Sequence, residues 1–192
     1  MCTDVGKYKL ALAAYENTKS LAQKCENASL EATITGNISF IYRCFEKPEE
    51  AVKQALLQLK TYEKQGLGGT RNSAICHSNI GINLRLIGKL NESLAEQQIA
   101  HSIAETLQDE DVIISTAITM ASSYRSIGDK INAVQYYNKA YLLAEKDGNQ
   151  AELMHLAQVE KIFCELFYEL TISSESENEP KLDIDDTLQT TL

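Results

Sequence analysis

Apolar residues recur along this chain in blocks with helical spacing, separated by short polar breaks. The first block, residues 7–25, places Leu10, Leu12, Ala13, Tyr15, Leu21 and Ala22 along one stripe. Asn27 is positioned to cap a second helix over 28–45, with Ile34, Ile38, Ile41, Tyr42 and Phe45 inward. Pro48 suits the first turn of a third helix, 48–64, where its missing N–H costs nothing. The run Gly66-Leu67-Gly68-Gly69 interrupts the pattern. Helices are then predicted over 70–87, 90–107, 109–127, started by Asp109 or Asp111 and stopped by Gly128, and 131–146. After Asp147-Gly148-Asn149, a last apolar block spans 150–170, with Leu153, Leu156, Val159, Ile162, Phe163, Leu166 and Phe167. The pattern predicts an all-α chain of about eight helices, paired antiparallel by short connections.

The blocks are copies of one another. The stretch Ser78 to Leu94 reads as the end of one helix, a turn at Gly88-Lys89 and the start of the next. Forty residues on stands Gly128-Asp129-Lys130; forty-two back, Glu46-Lys47-Pro48; forty further back, Gly6-Lys7-Tyr8. Five positions after each turn comes a small residue, Ala11, Ala51, Ser93 or Ala133, followed by Leu12, Val52, Leu94 or Val134. Such a fixed period implies helix pairs that bury their apolar faces only by stacking, a quasi-linear solenoid. The block 150–170 departs from the repeat, since Glu160 stands where earlier units have Ile38, Ile80 and Met120. A terminal helix covering the end of the stack would show this departure. With no helix expected before Gly6, the array begins in mid-repeat. Either the chain is a fragment or short form of something longer, or the first helix caps the stack alone.

Composition narrows the class. The chain has 192 residues, only two prolines and a net charge of −9. Residues 171–192 hold six acids against Lys181, giving −5, while the body holds 21 acids and 17 bases, giving −4. An acidic balance excludes non-specific nucleic-acid binding, which needs a basic footprint. Five scattered cysteines without a CxxC motif suggest reduced thiols in an intracellular, cytoplasmic protein. No signal-like N-terminus and no membrane-length apolar run is present. The N-x-S sequons at Asn27, Asn37 and Asn91 are read as chance. Ser173 to Pro180 is too polar to fold alone, so 171–192 is expected to be a disordered acidic tail after a repeat domain spanning 6–170.

These residues resemble the tetratricopeptide repeat (TPR), in the forty-residue variety of Pins/LGN-type polarity proteins, rapsyn and kinesin light chains. The first helix of that pattern asks for a large apolar residue, a small one, a Tyr or Leu, and a turn Gly. Here these are Ile38/Ser39/Tyr42, Ile80/Gly81/Leu84/Gly88 and Met120/Ala121/Tyr124/Gly128. Glu46 replaces a turn Gly, Ser93 an Ala, and Gln97 stands where Tyr15 and Tyr137 do. The resemblance covers residues 6 to about 146. It implies a right-handed α-solenoid whose first helices line a concave groove that binds extended or helical peptides.

In that family the position three residues before each turn faces the groove, which here assigns Arg43, Arg85 and Arg125 to a ladder. Nine residues before the turns stand Asn37, Asn79 and Thr119; related arrays hold a peptide backbone with asparagines there. Phe40, Cys44, Ser78, Ile82, Leu86, Ser122 and Ser126 would complete a mixed floor. Arg beside Asn suits a ligand bearing carboxylates, which guanidinium binds in bidentate fashion. The plainer alternative is that arginines near helix C-termini serve the helix dipole or pair with a neighbouring Glu.

The tail offers further candidates. Glu175 to Glu179 and Leu182 to Leu188 interleave carboxylates with aliphatics, so the segment either solvates the protein or folds onto its own groove. Ser174 and Ser176 have Glu three residues on and suit acid-directed phosphorylation. Thr190-Thr191-Leu192 has the outline of a PDZ ligand. Enzymatic readings find no support: His77, His101 and His155 fall on different helices, no HExxH or metal-spaced Cys/His cluster occurs, and Gly66–Thr70 lacks the Lys of a phosphate loop. Cys76 and His77 point about 100° apart on a helix, which makes His77 a packing residue rather than a base. The sequence therefore predicts a non-enzymatic scaffold or adaptor without cofactors that binds an acidic peptide. The alternatives are a segment of a larger catalytic or signalling protein, or a subunit autoinhibited by its tail.

Overall fold

The computed structural model describes residues 2–147, and they form seven helices. These are α1 (Cys2–Lys24), α2 (Ala28–Cys44), α3 (Pro48–Lys64), α4 (Arg71–Leu86), α5 (Leu90–Leu107), α6 (Glu110–Ile127) and α7 (Lys130–Asp147). The closest packing joins α2 to α3, α4 to α5 and α6 to α7, and each pair stacks on the next through α3–α4 and α5–α6. The blocks over 150–170 and 171–192 lie outside the described residues. One boundary differs from expectation: Gly6-Lys7-Tyr8, aligned with the turns, lies inside α1, which begins at Cys2. The repeat aligns Gly6 with true turns, yet the residues flanking it carry no helix breaker, so helix continues through it.

Local chemistry sets the helix ends. Asn27 accepts from Leu30 N at 3.0 Å and Asp109 from Val112 N at 3.2 Å, each satisfying a donor that the first helical turn leaves open. Thr70 and Ser73 form a reciprocal capping box at the start of α4. Gly88 and Gly128 take left-handed conformations, φ 79° and 91°, which a residue without Cβ adopts freely. Glu46 occupies the equivalent turn position at φ 57°, where a side chain is strained.

The small residues of the repeat are where paired helices come closest. Ala51, Ser93 and Ala133 are fully buried. Across the first contact Ser39 Oγ donates to Ala51 O at 2.7 Å; across the second, from the opposite side, Ser93 Oγ donates to Gly81 O at 2.7 Å. Gly81 leaves room for Gln97: a Cβ there would lie 2.5 Å from Gln97 Cγ. Ile38, Ile80 and Met120, the large apolar residues of the repeat, are all buried. Each contributes about 1.5–3 kcal/mol relative to exposure.

Spacing between repeats is uneven. Only Gln108 and Asp109 separate α5 from α6, whereas residues 65–70 separate α3 from α4. Correspondingly α4 packs along α6, while α2 and α4 scarcely meet. The longer, glycine-rich connection lets the second pair stand away from the first and opens a cleft between α2 and α4.

Candidate functional site

Helices α2, α4 and α6 occupy the same place in successive repeats, and two contacts establish their register. Ser78 Oγ lies 3.4 Å from Thr119 Oγ1, joining α4 to α6. Arg43 Nη1 donates to Asn79 Oδ1 at 3.4 Å, joining α2 to α4. The Arg43 guanidinium also sits over the Phe40 ring, 5.2 Å from its centroid, a cation–π contact. Phe40 remains 50% exposed, high for a large apolar side chain.

These residues edge the α2–α4 cleft, about 330 Å³ in volume. Asn37, Phe40, Arg43 and Asn79, all singled out by the repeat, line it. Thr33, Gly36, Gln58, Asn72 and Ile75 also line it and were missed by the sequence reading. They lie outside the aligned groove positions, some of them on α3 or at the start of α4. Their signal was the extra length of the 65–70 connection, which separates the helices that carry them. Gln58 lies over Gly36, where a Cβ would meet its amide at 2.6–2.9 Å.

Further along, Ile82, Arg85 and Ser122 are half-buried and Arg125 is exposed. Ser122 Oγ lies 3.1 Å from Tyr137 OH, which ties α6 to α7. Of the remaining floor residues, Cys44, Leu86 and Ser126 are exposed and Ser78 is buried. Arg85 Nε is buried and has no hydrogen-bond partner among the described residues. The pKa of Arg85 is lowered, first by burial and then by the positive charge of Arg125, against a smaller opposing effect of Tyr137. Burial likewise lowers that of Arg43.

None of the three arginines forms an ion pair among the described residues. Cations that bridge helices elsewhere do find carboxylates: between repeats Arg71 meets Asp109 at 2.6 Å and Lys139 meets Glu105 at 2.6 Å, and within the α6–α7 pair Lys146 meets Glu110 at 3.4 Å. Pairing with a neighbouring Glu therefore does not account for the arginine row within this region, although the helix dipole still favours cations there.

The other reactive side chains are tied into packing. His77 Nδ1 lies 2.7 Å from Glu96 Oε2, linking α4 to α5. Cys76 is buried with its thiol 3.3 Å from Ala55 O, and burial pushes its pKa up to about 12, so it stays protonated at neutral pH. His101 is buried between Thr116 Oγ1 at 2.8 Å and Lys139 Nζ at 2.9 Å, with Tyr136 edge-on at 5.8 Å. Among the described residues no group of three His, Cys, Asp or Glu is placed to hold a metal ion, and no helix is long and apolar enough to cross a membrane.

No protein-family model and no curated protein matches the sequence. Solved structures do resemble it in fold. BtubC (BKLC) of P. vanneervenii superposes with a TM-score of 0.71 at 15% identity, over 99% of this chain and 83% of that one. A kinesin light chain protein of Podosopora anserina with nearly identical TPR-like repeats gives 0.65 at 13% identity, over 92% of each chain. The described residues share with these structures an all-α solenoid fold of paired helices. Bacillus thuringiensis PlcR, solved with the peptide PapR7 and DNA, gives 0.61 at 17% identity, over 78% of this chain and 59% of that one. At these identities the likeness speaks for the helical-repeat fold alone. Among the described residues the α2, α4 and α6 face combines an open cleft with three arginines that form no ion pair.

Proposed function

We propose that this chain is a non-enzymatic scaffold or adaptor that holds an extended or helical, acidic peptide of a protein partner. The ligand lies in the concave groove of a right-handed superhelix. The observation that carries this reading is the row Arg43, Arg85 and Arg125, without a carboxylate among the described residues, next to Asn37 and Asn79 at the cleft. Asn37 and Asn79 supply amide donors and acceptors for a peptide backbone, and Phe40 and Ile82 supply apolar contact. Arg43 is already oriented by Asn79 and Phe40, which lowers the entropic cost of engaging a carboxylate. The peptide bound to the fold-similar PlcR is in keeping with a peptide ligand.

The test is capture of a peptide array by the full chain and by Arg43→Glu/Arg85→Glu/Arg125→Glu, at low and high salt. The reading expects salt-sensitive capture of acidic peptides that charge reversal abolishes, with helical content unchanged. Unchanged capture by a folded variant would move binding to another face. The −5 charge of residues 171–192 favours one refinement, a tail that competes for the groove. Deleting 171–192 would then tighten peptide binding at low salt.

A further inference from the structure

The second helix of each pair presents the same seam to its first helix. At the centre of that seam stand Ala51 and Ala55 in α3, Ser93 and Gln97 in α5, and Ala133 and Tyr137 in α7, all buried. Their counterparts in α1, Ala11 and Tyr15, are only half-buried. Thr18 is exposed, although Ala100 and Ala140 at the same place in α5 and α7 are fully buried, and Ala14 beside it is exposed too. Leu10 and Leu21, three turns apart on this side of α1, are 75% and 59% exposed. Helix α1 packs on α2, the first helix of the next pair, and among the described residues no helix covers its seam. A cap at the end of a solenoid presents a polar outer face, whereas this one is apolar. By its sequence α1 is half of a helix pair.

The chain also carries the pattern of the missing half. In strict forty-residue register the block 150–170 puts Glu160 at the large apolar position. Three residues later, Phe163, Cys164 and Phe167 repeat the order of Ile38, Ser39 and Tyr42 and of Met120, Ala121 and Tyr124: large, small, aromatic. The chain thus runs from a lone second helix through three pairs to the pattern of a lone first helix. From this complementarity we infer that residues 150–170 of one copy dock in the α1 seam of a second copy, completing a pair between them and extending the stack head to tail. Only Gly148 and Asn149 separate the block from α7, too short a span to carry it to α1 at the opposite end of its own stack. Charge selects this occupant over a second α1. Helix α1 holds four lysines against Asp4 and Glu16, giving +2, and the block holds four glutamates against Lys161, giving −3. Two α1 helices would oppose like charges, whereas α1 and the block attract. Docking leaves the α2, α4 and α6 face free, so the inference is independent of the peptide groove.

The full chain would be followed by sedimentation velocity in reductant over rising concentration. The parent should pass from monomer to multimers. Leu10→Glu/Leu21→Glu should stay monomeric throughout with unchanged far-UV circular dichroism, since both leucines are exposed. A cross-link identifies the partner surface. Ser39 Oγ reaches Ala51 O at 2.7 Å across the first pair, so the matching residues, Cys164 and Ala11 of the partner subunit, would be neighbours. Oxidation of Ala11→Cys with copper phenanthroline should give disulfide-linked multimers that vanish in Ala11→Cys/Cys164→Ser. A parent that stays monomeric, or a charged variant that still associates, overturns the docking. Association lost in the charged variant without the Cys164 cross-link gives the seam to another surface of the second copy and overturns the occupant, as does the same disulfide closed within one chain. Peptide capture is measured separately, so this inference and the groove reading fail independently.

Discussion

Replacing Gly81 by alanine tests whether the second helix pair packs as closely as the structure shows. Gly81 faces α5 at the tightest point of the pair. An added Cβ would stand 2.5 Å from Gln97 Cγ, 3.1 Å from Gln97 Nε2 and 3.0 Å from Ser93 O. Gln97 is fully buried and cannot swing into solvent, and the Ser93 carbonyl belongs to the α5 backbone. The helices must therefore separate by several tenths of an ångström, which stretches the 2.7 Å bond from Ser93 Oγ to Gly81 O. Overpacking of this kind costs about 1–3 kcal/mol, and weakening a buried hydrogen bond adds about 0.5–1.5 kcal/mol. Against this, alanine in mid-helix gains about 0.8–1 kcal/mol over glycine. The balance is a net loss of about 1–3 kcal/mol, measurable as a lower urea midpoint by far-UV circular dichroism. Adding Gln97→Ala should give a double variant less destabilised than the two single losses added together, because it empties the space the methyl needs. If Gly81→Ala alone matches or exceeds the parent in stability, helix propensity wins, and the close approach of α4 to α5 is refuted.

Two further outcomes follow from single residues. Lys139 Nζ donates to His101 Nε2, so Nε2 carries no proton and Nδ1–H donates to Thr116 Oγ1, which in turn donates to Val112 O at 2.7 Å. Burial, followed by the charge of Lys139, lowers the His101 pKa from 6.5 against the smaller opposing effect of Glu105; Tyr136 also faces the ring. The unfolded chain therefore binds a proton more readily than the fold does. Stability should be complete above pH 6.5 and fall as pH drops from there toward the lowered value, and His101→Gln should flatten that fall in urea titrations. A pH profile unchanged by the substitution would dissociate His101 from it. At the strained turn, Glu46→Gly should raise stability by about 0.5–1 kcal/mol in the same assay, since φ 57° no longer meets a Cβ; a loss would contradict the strain.

The repeat was legible because its physical constraints are local and recurrent. Close helix approach demands small side chains, and Ala51, Ser93 and Ala133 marked those contacts at a forty-residue interval. Turns that need left-handed backbone drew Gly88 and Gly128, and helix starts drew Asn27, Pro48 and Asp109. The departure at Gln97 acquires its reason from Gly81 across the pair, a compensation between residues on different helices that no single-helix pattern displays. The arginine row could be aligned by counting from the turns, whereas its division into one supported and two unsupported side chains depends on contacts between helices. Ile75, Asn72 and Gln58 carry no mark in the helix pattern itself, only in the longer connection over 65–70: they line the cleft because α2 and α4 stand apart. At the start of the chain, the match of Gly6 to the turn glycines misled, since one glycine without a neighbouring breaker does not end a helix.

The connection over residues 65–70 separates two properties that are usually bound together. The width of the α2–α4 opening depends on how many residues join α3 to α4, while its chemistry depends on side chains carried by the helices themselves. Gly68 and Gly69 have open space where a Cβ would stand, so added residues there meet no packed side chain, provided the bond from Ser73 Oγ to Gly68 O at the start of α4 is kept. Evolution can thus resize the opening by insertion and deletion and retune its selectivity by substitution, along two nearly independent axes.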